Sequence, residues 1–218
     1  LRINSDGTIP HDNPFDSQVF SYGHRNPQGL SWNENGILIS SEHGPSGERG
    51  YAHDEINVIE RGKNYGWPII VGDSNDTAYT NPILHSGDIT WAPSGLLYYD
   101  SDKISEWKGK FLVATLRGEH VMMLDLDLEN GVVNSAEKIF QGDYGRIRNL
   151  VQSPNGDVFM LTSNGNNDKI LRISTFESTS LSVDANELTS RSGDYSIYMI
   201  VGAIVSVILI VIWRKKSS

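Results

Sequence analysis

Between residues 1 and 173 no apolar run extends beyond a few residues, and each is cut short by Gly, Asn or Pro. Ile37-Leu38-Ile39, Phe111-Leu112-Val113 and Val158-Phe159-Met160-Leu161 are typical. A helix that buries one face needs apolar positions recurring over several turns, whereas a strand needs only about four to eight residues between turn signals. The pattern therefore predicts an all-β domain of short strands. The 21 glycines in 218 residues weigh the same way, against a helical bundle.

The strands come with a repeat. Gly29-Leu30-Ser31-Trp32-Asn33-Glu34-Asn35-Gly36-Ile37 resembles Asn149-Leu150-Val151-Gln152-Ser153-Pro154-Asn155-Gly156-Asp157, and a weaker copy runs from Trp107 to Val113. Asn35-Gly36 and Asn155-Gly156 are strong signals for two-residue hairpins, since both residue types tolerate positive φ. Strand–turn–strand units recurring tens of residues apart are the mark of a β-propeller. A generic β-sandwich is the alternative on pattern alone.

Charge and composition remove several function classes. The formal charge is −9, which argues against a nucleic-acid partner. Cysteine is absent, so disulfide scaffolds, thiolate metal sites and thiol nucleophiles are excluded. The six histidines show no metal-ligand spacing, and no phosphate loop or nucleophile elbow is present. Two clusters remain. Arg25-Asn26 precedes the first repeat hairpin and Arg148-Asn149 the second. If blades repeat about an axis, Arg25, Arg146 and Arg148 converge near the channel, where guanidinium groups suit a multiply anionic ligand. Inter-blade salt bridging is the competing role. The second cluster, Ser41-Glu42-His43-Gly44-Pro45, Asp54-Glu55-Ile56-Asn57 and Lys63-Asn64-Tyr65-Gly66-Trp67-Pro68, is rich in the oxygen ligands and exposed carbonyls that calcium prefers.

Beyond residue 173 the composition changes. Residues 174–194 are rich in Ser and Thr and poor in apolar groups, which predicts a solvated stalk. Residues 197–213 carry no charge. At about 1.5 Å per residue they span roughly 25 Å, near the lower limit for a bilayer core. Tyr195, Tyr198 and Trp213 sit at the ends, and Arg214, Lys215 and Lys216 follow. This predicts a transmembrane helix over 195–213, a cytoplasmic basic tail over 214–218 and an exterior domain. A buried core helix is the alternative.

SYGHRNPQGLSW, SSEHGP, DEINVIERGKNYGWP, TWAPSG and GRIRNL occur in this order. Together, and with the opening LRINSDGTIPHDNPF, they resemble the glucose/sorbosone dehydrogenase family, the pyrroloquinoline-quinone-dependent (PQQ-dependent) glucose and aldose sugar dehydrogenases. The resemblance covers residues 1–173. It implies three to four C-terminal blades of a six-bladed propeller, and so the C-terminal portion of a longer enzyme. It implies that Arg25, Asn26, Gln28, Thr90, Arg117, Arg146 and Arg148 contact the quinone, with Arg117 where the glucose enzymes have lysine. Gly44 and Pro45 match carbonyl ligands of a calcium ion on the cofactor. Glu55 and Tyr65 match ligands of a second, structural calcium. The implied reaction is hydride transfer from C1 of an aldose to the quinone, giving a lactone, with electrons passed to an acceptor in or near the membrane. The base histidine of the family falls upstream of these motifs, so the chain alone is expected to be inactive. His24 is expected to be structural. A non-catalytic exterior propeller that binds glycans or proteins is the alternative function.

Overall fold

The computed structural model describes residues 1–46 and 52–175. The middle of the loop after Pro45, nearly all of the expected stalk, the expected membrane helix and the basic tail lie outside the described residues. Among the described residues no helix is long and apolar enough to cross a membrane.

Among the described residues eleven strands form three antiparallel sheets. β1 (Pro27–Trp32), β2 (Leu38–Glu42), β3 (Glu55–Ile59) and β4 (Leu84–His85) make the first. β5 (Pro93–Tyr99), β6 (Lys110–Thr115), β7 (Val121–Asp127) and β8 (Val132–Ile139) make the second. β9 (Ile147–Gln152), β10 (Val158–Thr162) and β11 (Ile170–Ile173) make the third. Each sheet runs in simple up-and-down order, and its first strand packs on that of the next: β1 on β5, and β5 on β9. This is a propeller-like fan of three blades, the lower of the expected numbers.

The repeat seen in the sequence is the first hairpin of each blade. Gly36, Gly109 and Gly156 stand in the connection of that hairpin at φ 76°, 77° and 82°, the one ending at Gly109 being longer, with its N–H donating to the Tyr99 carbonyl. The turns are not the two-residue type. Gly36 N–H donates to the Asn33 carbonyl and Asn33 N–H to that of Ile37, and Ser153, Gly156 and Asp157 repeat the pattern. Only the glycine takes positive φ, which is the longer hairpin with a glycine bulge.

Apolar residues fill the gaps between blades. Ile39 and Ile56 of the first blade meet Leu96, Phe111, Val113, Met122 and Leu124 of the second. Leu112, Ala114, Val121 and Met123, on the other face of that blade, meet Ile147, Leu150, Val158 and Met160 of the third. Alternation along β6 thus serves two interfaces at once, as period two requires. Glycines let the inner strands touch. A Cβ on Gly29 would lie 2.5 Å from the Ser94 carbonyl oxygen, and one on Gly95 would lie 2.0 Å from Asn149 Oδ1. Polar stitches run alongside: Ser41 Oγ donates to the Ser94 carbonyl and Ser94 Oγ to that of Arg148, each at 2.8 Å. At the other end of the blades, buried Asp157 pairs with Lys103 and Arg172, both at 2.7 Å. Lys103 and then Ser174 and Arg172 hold its carboxyl well below the usual range. The two outer faces of the fan stay open among the described residues, with Leu30 and Trp32 exposed on one and Val151 and Ile170 on the other.

Candidate functional site

Strand pairing collects the candidate residues at one end. Pro27 pairs with Glu42, Pro93 with Thr115 and Ile147 with Thr162. The starts of β1, β5 and β9 therefore lie beside the β2–β3, β6–β7 and β10–β11 connections. Arg25, Asn26 and Gln28 stand at the start of β1, Thr90 ahead of β5, and Arg146 and Arg148 at the start of β9. Gly44 and Pro45 leave β2, and Arg117 lies in the β6–β7 turn.

The strand starts correct one detail of the repeat. The second residues of β1, β5 and β9 are Gln28, Ser94 and Arg148. Arg148 is thus the counterpart of Gln28, and Arg146 that of Asn26. Arg25 and Arg148 are not equivalent, because Arg25 lies five residues before Leu30 and Arg148 only two before Leu150. Arg148 donates to Ser94 Oγ at 3.3 Å, and Arg146 Nε donates to the Ser163 carbonyl at 3.1 Å. Gln28 donates to Asn26 Oδ1 at 2.8 Å. Thr90 is half-buried and Arg117 exposed.

Arg25, Gly44, Pro45, Glu55 and Tyr65, five residues singled out from sequence, line a single cavity with Glu42, His43 and Trp67. Its volume is about 10 Å³, room for one water-sized particle. It has room for an ion and not for an organic molecule. Arg25 is fixed at the rim: it donates to the His43 carbonyl at 3.2 Å and stands 5.2 Å from the Trp67 ring centre.

The donor set suits a hard cation. Glu55 accepts from Gly72 N–H and Asn57 Nδ2, both at 3.1 Å. Burial pushes its carboxyl up to about 7, against these donors. A cation at the carboxylate would replace that proton. Among the described residues no three His, Asp or Glu side chains cluster as ligands, and an ion here would need main-chain oxygens beside Glu55. Tyr65 offers only its main chain. Its hydroxyl donates to the Val58 carbonyl and accepts from Glu60 N–H, and burial raises its pKa to about 12.

The raised Glu55 value has a measurable sign. The folded protein holds a proton that the unfolded chain releases near pH 4.5. Metal-free stability is therefore expected to fall as pH rises from about 4.5 to 7, by roughly 3 kcal/mol, and then level off. Glu55→Gln should flatten that slope in chemical denaturation at pH 5 and pH 8. An unchanged slope would place the proton elsewhere.

Both ring nitrogens of His24 are hydrogen-bonded. Nε2 meets Ser21 Oγ and Nδ1 meets Glu42 Oε1, each at 2.8 Å, while the ring stacks on Tyr65 at 4.5 Å. Glu42, 2% exposed, also accepts from Asn57 Nδ2 at 2.7 Å. Two residues outside the set that the family resemblance implies stand beside the site. His43 Nε2 is buried without a hydrogen-bond partner beside the cavity. Asp54, counted among possible calcium oxygens, gives both carboxylate oxygens to backbone N–H groups instead.

Comparisons with known proteins identify the family. The family model described as glucose/sorbosone dehydrogenase matches residues 1–172. The aldose sugar dehydrogenase of Escherichia coli is 31% identical over 80% of this chain and 50% of its own length. Quinoprotein glucose dehydrogenase B of Acinetobacter calcoaceticus is 40% identical over 54% of this chain and 26% of its own. The PQQ-bound aldose sugar dehydrogenase of Streptomyces coelicolor superimposes with a TM-score of 0.68 at 30% identity, over 80% of this chain and 51% of that one. The chain belongs to the PQQ-dependent glucose/sorbosone (aldose sugar) dehydrogenase family. It spans about half the length of the curated relatives it matches.

Proposed function

We propose that this chain carries part of the cofactor site of a membrane-anchored, PQQ- and calcium-dependent dehydrogenase that oxidises an aldose at C1 to the lactone. The observation that carries it is the convergence of Arg25, Gly44, Pro45, Glu55 and Tyr65 on one ion-sized cavity at the arginine-bearing end. In this reading the Gly44 and Pro45 carbonyls hold the calcium that meets the cofactor. Glu55 and Tyr65 line the same cavity, which has room for one ion, so in this reading Glu55 and the Tyr65 carbonyl serve that calcium rather than a second one. Arg146 and Arg148 neutralise cofactor carboxylates, Asn26 and Gln28 hydrogen-bond across the channel from them, and Thr90 and Arg117 close the side formed by the second blade. His43 Nε2 supplies one further polar contact. When bound, the quinone supplies the hydride acceptor and calcium polarises it as a Lewis acid. No residue of this chain is assigned as the base.

Arg148 gives the direct test. One charge-assisted hydrogen bond contributes about 1.5–3 kcal/mol, roughly ten- to hundredfold in affinity. Arg148→Ala in the full-length protein should weaken PQQ binding by that factor and barely change the cofactor-free melt, since the side chain is exposed. Arg148→Lys should recover part of the loss, because an ammonium cannot make a two-point contact. Equal affinity in all three proteins would remove Arg148 from the site. Dye reduction by the reconstituted protein on addition of glucose or another aldose would test the reaction itself.

The anchor is a separate part of the proposal and rests on the charge-free run and its basic flank. Protease added to intact cells should remove the propeller and spare a tag after Ser218. A protected propeller with a digested tag would reverse the orientation.

A further inference from the structure

We infer that Asp54 is a positioning residue that locks the calcium-facing loop of the first blade to the arm of the second blade that bears Arg117. The inference rests on the proposed function, because it concerns how that site is held rather than what it binds.

Asp54 is fully buried at the head of β3. One carboxylate oxygen accepts the Gly44 N–H at 2.9 Å. The other accepts the Trp91 and Ala92 N–H groups at 2.6 and 2.8 Å, reaching 37 and 38 residues along the chain into the next blade. From there the connection continues. The Trp91 carbonyl accepts from Arg117 N–H at 3.1 Å and Gly118 N–H at 2.8 Å, and the Ala92 carbonyl accepts from Leu116 N–H at 2.9 Å. One carboxylate therefore fixes the peptide plane leading to the Gly44 and Pro45 carbonyls and, through two peptide groups, the turn that carries Arg117. Its neighbour Glu55 faces the cavity, and Asp54 does not line it.

The arrangement has no slack. Ala92 sits at φ 51°, a left-handed conformation uncommon for a residue with a Cβ. The carboxylate that accepts its N–H and that of Trp91 holds it there. Gly44 is pressed against the 52–53 backbone: a Cβ on it would lie 1.9 Å from the Ala52 oxygen and 2.3 Å from that of His53. Asp54 also donates its own N–H to Ser86 Oγ at 2.8 Å, a bond that braces β3 without touching either arm. Ser86 therefore provides a control.

Asp54→Asn is nearly isosteric and sets an NH2 group against one of the three N–H donors. Calcium-dependent PQQ affinity should fall at least tenfold, read by titrating PQQ into full-length protein at saturating calcium. In a double-mutant cycle, Arg117→Ala should lose most of its effect once Asp54 is Asn, because the arm is already released. Ser86→Ala should lower the melting temperature without moving PQQ or calcium affinity, as a merely structural bond does. Hydrogen exchange on the wild-type protein reads the same link without any substitution. Adding calcium and PQQ should protect the Trp91 and Ala92 amides together with that of Gly44. Unchanged affinity in Asp54→Asn, additive effects with Arg117→Ala, or protection confined to Gly44 would overturn the positioning role. A wild-type protein that binds no PQQ would instead overturn the function on which it rests.

Discussion

Gly44→Ala should weaken calcium-dependent quinone capture on the order of a hundredfold. The new Cβ would meet the Ala52 and His53 carbonyl oxygens at 1.9 and 2.3 Å, and both are main-chain atoms that cannot swing aside. The loop must move, carrying the Gly44 and Pro45 carbonyls with it. Displacing a ligand set by about an ångström costs on the order of a hundredfold. The clash lies in a connection between strands, so the sheets should survive and the melt should change far less than the affinity. PQQ titration at saturating calcium measures the first effect and calorimetry the second. Binding within about threefold of wild type would mean that the Gly44 carbonyl does not face the metal.

Phe111→Ala should be the most damaging substitution in the fold. Phe111 is 1% exposed in β6 and sits in the cluster that joins the first two blades. Removing a buried phenyl group costs about 3–5 kcal/mol, because transfer energy is lost and a cavity remains. For a protein of this size that is a fall of roughly 10 °C or more in melting temperature. The effect should extend to the site, since the same interface sets the spacing between Gly44 and Trp91. A loss below about 1 kcal/mol in chemical denaturation would show that the blades do not share this core.

Much of this architecture is legible in the sequence because it is local. Ile37-Leu38-Ile39, Phe111-Leu112-Val113 and Val158-Phe159-Met160-Leu161 all fall in or beside strands, since short runs between turn formers have few other ways to bury themselves. The three glycine turns mark equivalent hairpins for the same reason. The turn type was less legible. Asn35-Gly36 alone suggests a two-residue turn, but Asn33 captures the Asn35 and Ile37 N–H groups through Oδ1 and lengthens it.

What the sequence conceals is long-range. Nothing local in Asp54-Glu55 tells which carboxylate faces the cavity and which is spent on backbone 37 residues away. Alternation along β3 decides it, and that depends on which face the second blade covers. Tyr65 is similar: its hydroxyl is consumed by β3, so only its carbonyl remains for a metal. Arg25 and Arg148 both precede a repeat hairpin, yet they stand at different distances from Leu30 and Leu150 and so are not counterparts. The counterparts of Arg146 and Arg148, Asn26 and Gln28, follow once β1 and β9 are aligned. His43 carries one available signal, its place between Glu42 and Gly44 in a segment rich in oxygen ligands.

In the proposed function one end of this propeller-like domain holds a calcium ion and an anionic quinone together. Titration of PQQ into full-length protein, once with saturating calcium and once with excess chelator, tests it most directly. Tight one-to-one binding with calcium, weakened at least tenfold by the chelator, is the expected result. Equal affinity under both conditions, or no binding in either, would contradict it.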